Sequence, residues 1–131
     1  MARKRHLSRI AVMQVLFECD YRKADEMKSL EKNIAELGNV DKEFAESLLE
    51  GVVSMEKELK ATIEKHAPEW QFDRMDPIAR PVLLLGAYEL LYADDAPPAV
   101  VMNECIEIAK EYGTDETGKF VNGVLNAMAK K

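Results

Sequence analysis

Apolar residues recur at spacings of three, four and seven from one end of the chain to the other, and nowhere do they alternate over a run. That is the period of a helix, whereas a half-buried strand repeats every second residue. Its one Asn-Gly pair, Asn122-Gly123, falls inside a helical stretch instead of between two strands. An all-α chain is therefore expected. With 131 residues, 47% of them apolar and 32% charged, the chain suits a single bundle-like domain over 1–131 and is not a disordered one.

A first helix is predicted from about Arg5 to Arg22, with Val12, Leu16 and Cys19 on one row and Ile10, Met13 and Phe17 on the next. So wide an apolar arc leaves mainly Gln14, Glu18 and Arg22 wet, which makes the helix central or covered by a partner. A second runs from Asp25 to Leu37 and stops at Gly38. Asp41 caps a third, expected to continue to about His66 through Phe44, Leu48, Leu49, Val52, Leu59 and Ile63, with Gly51 marking a close approach to a neighbour. In the connector that follows, Trp70 and Phe72 are expected to plug the core. Asp76-Pro77 caps the next helix, and Pro81 either bends it or falls in its first turn. A helix over Ala99–Tyr112 then buries Val101, Cys105, Ile108 and Tyr112. Gly113 closes it, Thr114 or Asp115 caps the last helix, and that helix runs from about Thr117 to Ala129 with Phe120, Val121, Val124, Leu125 and Met128 inward. The count is six or seven helices.

Several kinds of chemistry are hard to place on this sequence. Ser8, Ser29, Ser47 and Ser54 stand in no nucleophile motif, no Gly-rich phosphate loop is present, and Glu104 and Glu107 lack the His that a di-iron bundle needs, so they read as a solvated face. Cys19 and Cys105 form no CxxC and have only His6 and His66 for company, which argues against zinc and for core-type thiols in a reducing compartment. No catalytic residue, metal or cofactor is expected. Nor does any stretch reach the roughly 18 consecutive apolar residues of a membrane span, and MARKRHLSRI lacks the apolar run of a signal peptide, so a cytoplasmic location is expected.

Binding remains, and charge points to where. Lys and Arg number 18 against 24 Asp and Glu, a net of −6, yet Arg3, Lys4, Arg5 and Arg9 all precede the first acid, Glu18. Without those four, 14 basic residues face 24 acidic ones, a net of −10. An acidic body with one basic end repels nucleic acid everywhere except there, although a short cluster is also compatible with a solvated terminus. Arg5 and Arg9, one helical turn apart, are spaced to hold successive phosphates. On the last helix Lys119, Phe120 and Asn122 place a cation, an aromatic and an amide within one turn, a set that suits single-stranded RNA. Phe120 is also readable simply as a core residue. The two ends are expected to lie side by side.

At these residues the sequence resembles the NusB family of transcription antitermination factors. Lys119-Phe120-Val121-Asn122-Gly123-Val124-Leu125 is similar to the family's KFVNGVL/I block, and Asn103-Glu104-Cys105-Ile106-Glu107-Ile108-Ala109-Lys110 with Tyr112-Gly113 is similar to its NEAIELAK-x-[FY]-G block. Ala87-Tyr88-Glu89-Leu90 resembles the xYEL segment, Trp70 with Arg74 the W-x-x-x-R connector, and Arg9, Gln14, Leu16 and Phe17 the family's opening; Leu84 departs, standing where the family usually has Arg. The resemblance implies two packed helical sub-bundles. It implies a non-catalytic adaptor that pairs with the ribosomal protein NusE and binds boxA RNA, serving an RNA polymerase antitermination complex that reads through terminators in ribosomal RNA operons. It places RNA contacts on Arg3, Lys4, Arg5, Arg9, Glu116, Lys119, Phe120 and Asn122, and a protein-partner face on Phe17, Tyr21, Ile78 and Arg80. Some family members form homodimers that cover the RNA face. Two other readings are an N-terminal module of a ribosomal RNA cytosine methyltransferase, whose fold is similar but which needs a second domain, and a helical protein-interaction module without RNA binding.

Overall fold

The computed structural model describes residues 2–21, 25–93 and 95–130, the side chains of 2, 20 and 21 excepted. Seven α-helices are present among them: α1 Ala2–Tyr21, α2 Glu26–Leu37, α3 Lys42–Ser54, α4 Glu56–Lys65, α5 Ala79–Tyr88, α6 Pro98–Tyr112 and α7 Asp115–Ala129. A 3₁₀ turn, Phe72–Arg74, precedes α5, and a π turn, Glu89–Ala93, extends it. The wide apolar arc of α1 does become the centre: Ile10, Ala11, Val12, Met13 and Val15 are at most 2% exposed. α1 packs on α2 and α3 to one side and on α5 to the other, while α5 also receives α4, α6 and α7. Two sub-bundles, α1–α4 and α5–α7, thus meet along α1 and α5 over one continuous apolar core. Arg22, expected on the wet strip of α1, lies outside the described residues.

Most helix ends form where the caps predict. The Asp25 carboxylate accepts from the Met27 and Lys28 amides, Asp41 accepts from Phe44, and Gly38 takes a φ of +87° at the end of α2. Thr114 and Thr117 form a reciprocal capping box on α7. Pro81 falls in the first turn of α5, where its missing N–H costs nothing, and the Asp76 carboxylate accepts from the Ile78 and Ala79 amides at 2.8 and 3.2 Å.

Three expectations need correction. The helix expected to run from Asp41 to about His66 is two, broken at Met55 with φ −115° and ψ 17°. Ser54 donates its hydroxyl to the Gly51 carbonyl at 3.0 Å just before the break, a side-chain bond that competes with the helix. Trp70 does not plug the core: Phe72 and Met75, each 3% exposed, fill that space and leave Trp70 at 47%. Tyr112, likewise expected inside, is 37% exposed. Gly51 behaves as read, since a Cβ there would overlap the Tyr88 ring.

Candidate nucleic-acid interface

The first turn of α1 puts Arg3 and Lys4 in solvent and leaves Arg5 half-buried. Arg5 lies 4.5 Å over the Phe44 ring, with Nη1 3.0 Å from Asp95 Oδ2 and Nε 3.9 Å from Asp41 Oδ2. These pairs are partly exposed and worth little, so they steer the side chain without removing it from solution. Ser8 fixes the helix below: its hydroxyl donates to the Lys4 carbonyl at 2.7 Å and accepts from the Asp41 amide at 2.8 Å.

Arg9 has a different fate from the one expected of it. It is 2% exposed, and its Nε and Nη2 donate to the Glu89 carboxylate at 2.6 and 2.8 Å in a bidentate pair. Nη1 donates to Glu104 Oε1 at 3.3 Å, and His6 Nδ1 lies 2.9 Å from the same oxygen. Burial opposes the charged guanidinium, yet the hydrogen bonds and charge of Glu89 outweigh it and hold Arg9 above its ordinary value. No phosphate reaches this group without opening the core. Glu104, read as part of a solvated face, is instead the anchor that ties α6 to α1, while Glu107 is exposed as expected. Cys105 is fully buried beside this network, and burial followed by the Glu89 charge pushes its thiol far up. The signal for Arg9 was legible: it stands three, four and seven residues before Val12, Met13 and Leu16, on their buried row.

The block on α7 divides in two. Glu116, Lys119 and Asn122, each three residues from the next, are all exposed and share one stripe, with Lys119 Nζ 3.5 Å from Glu116 Oε1. Phe120 lies about 200° around the helix from Asn122 and turns inward, half-buried. Its ring centroid is 5.8 Å from that of Trp70, edge to face at 70°. It is neither sealed in the core nor fully presented. Nor do the cations of α1 stand beside this block. Arg5 pairs with Asp95, just before α6, whereas the start of α7 packs at the far end, where a Cβ on Gly118 would touch Lys110 and Thr117 donates to Asp76 at 3.2 Å. At 1.5 Å per residue, roughly 15–20 Å of α6 separates them.

Of the expected partner face, Phe17 and Ile78 come together with Met13 and Tyr112 in a groove of about 520 Å³. Arg80 does not join them. Its Nη1 donates to the Asp73 carbonyl at 2.8 Å, and it lines a smaller hollow of about 130 Å³ with Leu16, Phe72 and Leu84. The side chain of Tyr21 lies outside the described residues.

The model of the NusB family matches residues 6–130. The chain belongs to the NusB family. It is 40% identical to the transcription antitermination protein NusB of Nitratiruptor sp. over 97% of this chain and 92% of that one. With the NusB of Bacillus subtilis it shares 39% identity over 94% and 92% of the two chains. Among solved structures, a chain from the crystal structure of antitermination factors NusB and NusE in complex with dsRNA superposes with a TM-score of 0.88 at 30% identity, covering 99% of this chain and 98% of that one. T. maritima NusB superposes at 0.85 with 35% identity, covering 96% and 90%. The all-α fold with two sub-bundles is thus the fold of NusB structures. Among the described residues no helix is long and apolar enough to cross a membrane.

Proposed function

We propose that this chain is a non-catalytic cytoplasmic adaptor of transcription antitermination that binds boxA-type single-stranded RNA together with NusE and acts with RNA polymerase on ribosomal RNA operons. The observation that carries the reading is the cationic turn Arg3-Lys4-Arg5, its first two side chains exposed and the third half-buried, on a chain that is otherwise strongly acidic. Membership of the NusB family, and a relative solved with NusE and dsRNA, support it. Lys119 supplies a fourth cation, and Arg9 supports the turn from beneath rather than touching RNA.

The Phe17–Ile78 groove is the proposed seat of the protein partner. Its wall includes Asn33, 8% exposed, whose Nδ2 has no hydrogen-bond partner among the described residues.

Titration of a boxA-type oligonucleotide, with and without NusE, tests the reading. Four phosphate contacts to a single strand give a log–log salt slope near −3, and replacing Arg3, Lys4 and Arg5 by Ala should flatten it to about −1. No association at low salt, with or without NusE, would sink the proposal.

A further inference from the structure

Where α3 lies against the end of α5, apolar surface is left open. Among the described residues six large apolar side chains are exposed, and three of them, Met27 at 36%, Val53 at 38% and Tyr92 at 47%, line two hollows here. One hollow, of about 580 Å³, lies between α2, α3 and Tyr88, and the other, of about 240 Å³, lies between α3 and the π turn. Ser47 and Tyr88 line both, so the two form one groove. Gly51 admits Tyr88 to it: the ring lies where a Cβ would stand, and it stacks on Tyr92 with centroids 6.1 Å apart. Apart from Glu89, which Arg9 holds, the charged lining is Glu26, Glu50 and Asp95, with no Lys or Arg. Asp95 meets Arg5 at the end of the groove, whereas Glu26 and Glu50 make no ion pair among the described residues.

We infer that this groove seats a basic amphipathic helix of a protein partner. The site is separate from the Phe17–Ile78 groove, with which it shares no lining residue, and the inference does not rest on the RNA-binding reading. Shape and charge select the occupant. No strand is present among the described residues, so no sheet edge is offered to an extended peptide, whereas a groove walled by helices takes the apolar ridge of another helix. From Phe44 to Ser54 the α3 wall rises about 15 Å, which matches about ten residues of such a helix. Carboxylates that lack cations of their own favour Lys and Arg on its flanks, and they repel the phosphates of RNA. Stacked tyrosines supply a large apolar contact at small cost in side-chain freedom, with hydroxyls to bond the polar edge of the partner.

The probe is a capped peptide of about 14 residues with leucines at helical spacings of three and four and lysines on the flanks, beside a twin with glutamates for the lysines. Titrated into the isotope-labelled full chain, the lysine peptide should shift the amide resonances of Phe44–Ser54 and Tyr88–Ala93 and leave those around Phe17 and Ile78 in place. Tyr92→Ala should weaken its binding about 10-fold or more, and Glu50→Lys about 5-fold with loss of salt dependence. Both side chains are exposed, so thermal unfolding of the variants should match that of the parent, and Tyr92→Ala should bind RNA as the parent does. Equal affinity for the glutamate twin overturns the inference, as does failure of the lysine peptide to bind below about 1 mM. Shifts confined to the Phe17–Ile78 groove overturn it in favour of that site. A chain that sediments as a dimer, and as a monomer once Tyr92→Ala is introduced, overturns it in favour of a second copy. Loss of RNA binding by Tyr92→Ala with the peptide still bound assigns the groove to RNA instead. Failure of RNA to bind the parent sinks the RNA-binding reading and leaves this inference standing.

Discussion

A guanidinium at 2% exposure is tolerable only because a carboxylate at the same depth meets it with two hydrogen bonds. Arg9 and Glu89 are 80 residues apart, and each is a liability without the other. Arg9→Met should therefore lower stability by about 3–5 kcal/mol in urea unfolding, since it strands Glu89 in the core. Adding Glu89→Leu should recover most of that loss, because an apolar pair of similar volume avoids the desolvation of both charges. A single substitution costing under about 1 kcal/mol, the usual value of a surface pair, would contradict the buried assignment. Position in the chain grouped Arg9 with Arg3, Lys4 and Arg5, although its spacing to Val12, Met13 and Leu16 placed it on the buried row.

Helices were the most legible level, because each is set by bonds that reach no further than one turn. Asp25, Gly38, Asp41 and Thr114 mark ends that the structure reproduces, and Gly51 marks a true close approach. Two glycines in helices separate packing from propensity. Gly51→Ala gains helix propensity but drives a methyl into the Tyr88 ring, and overpacking of that kind costs about 1–3 kcal/mol. Gly123→Ala meets nothing within 4 Å on α7 and should stabilise by up to about 1 kcal/mol. Thermal unfolding of the two variants should move in opposite directions; a parallel shift would mean that Tyr88 does not seat against Gly51. The break at Met55 leaves no mark in the sequence pattern, because Val52, Leu59 and Ile63 keep one apolar phase through it.

At the scale of the molecule, the cationic turn lies by Asp95, before α6, and the α7 residues that carry Lys119 lie by Lys110, towards the other end of that helix, whose turns between them rise roughly 15–20 Å. A single strand advances about 3.4 Å per nucleotide when stacked, so an oligonucleotide of about three residues reaches one site or the other and one of about ten reaches both. Affinity should rise steeply with length between those limits and then level off, as read by anisotropy at constant salt. A smooth gain proportional to charge, with no step, would point to the cations alone.

Periodicity and caps by themselves determined that the chain is helical, where most helices begin and end, and that α1 carries too wide an apolar arc for a surface helix, because those features depend on neighbours within a few residues; that α1 is central was decided by the packing. Which cations stay in solvent was decided only by the fold. Arg9 is withdrawn by Glu89 and Glu104, which other segments bring to it, and Trp70 stays 47% exposed while Phe72 and Met75 beside it in the chain are buried. A polar or aromatic side chain goes where its partners are, and partners 80 residues away acquire a position only when the chain has closed on itself.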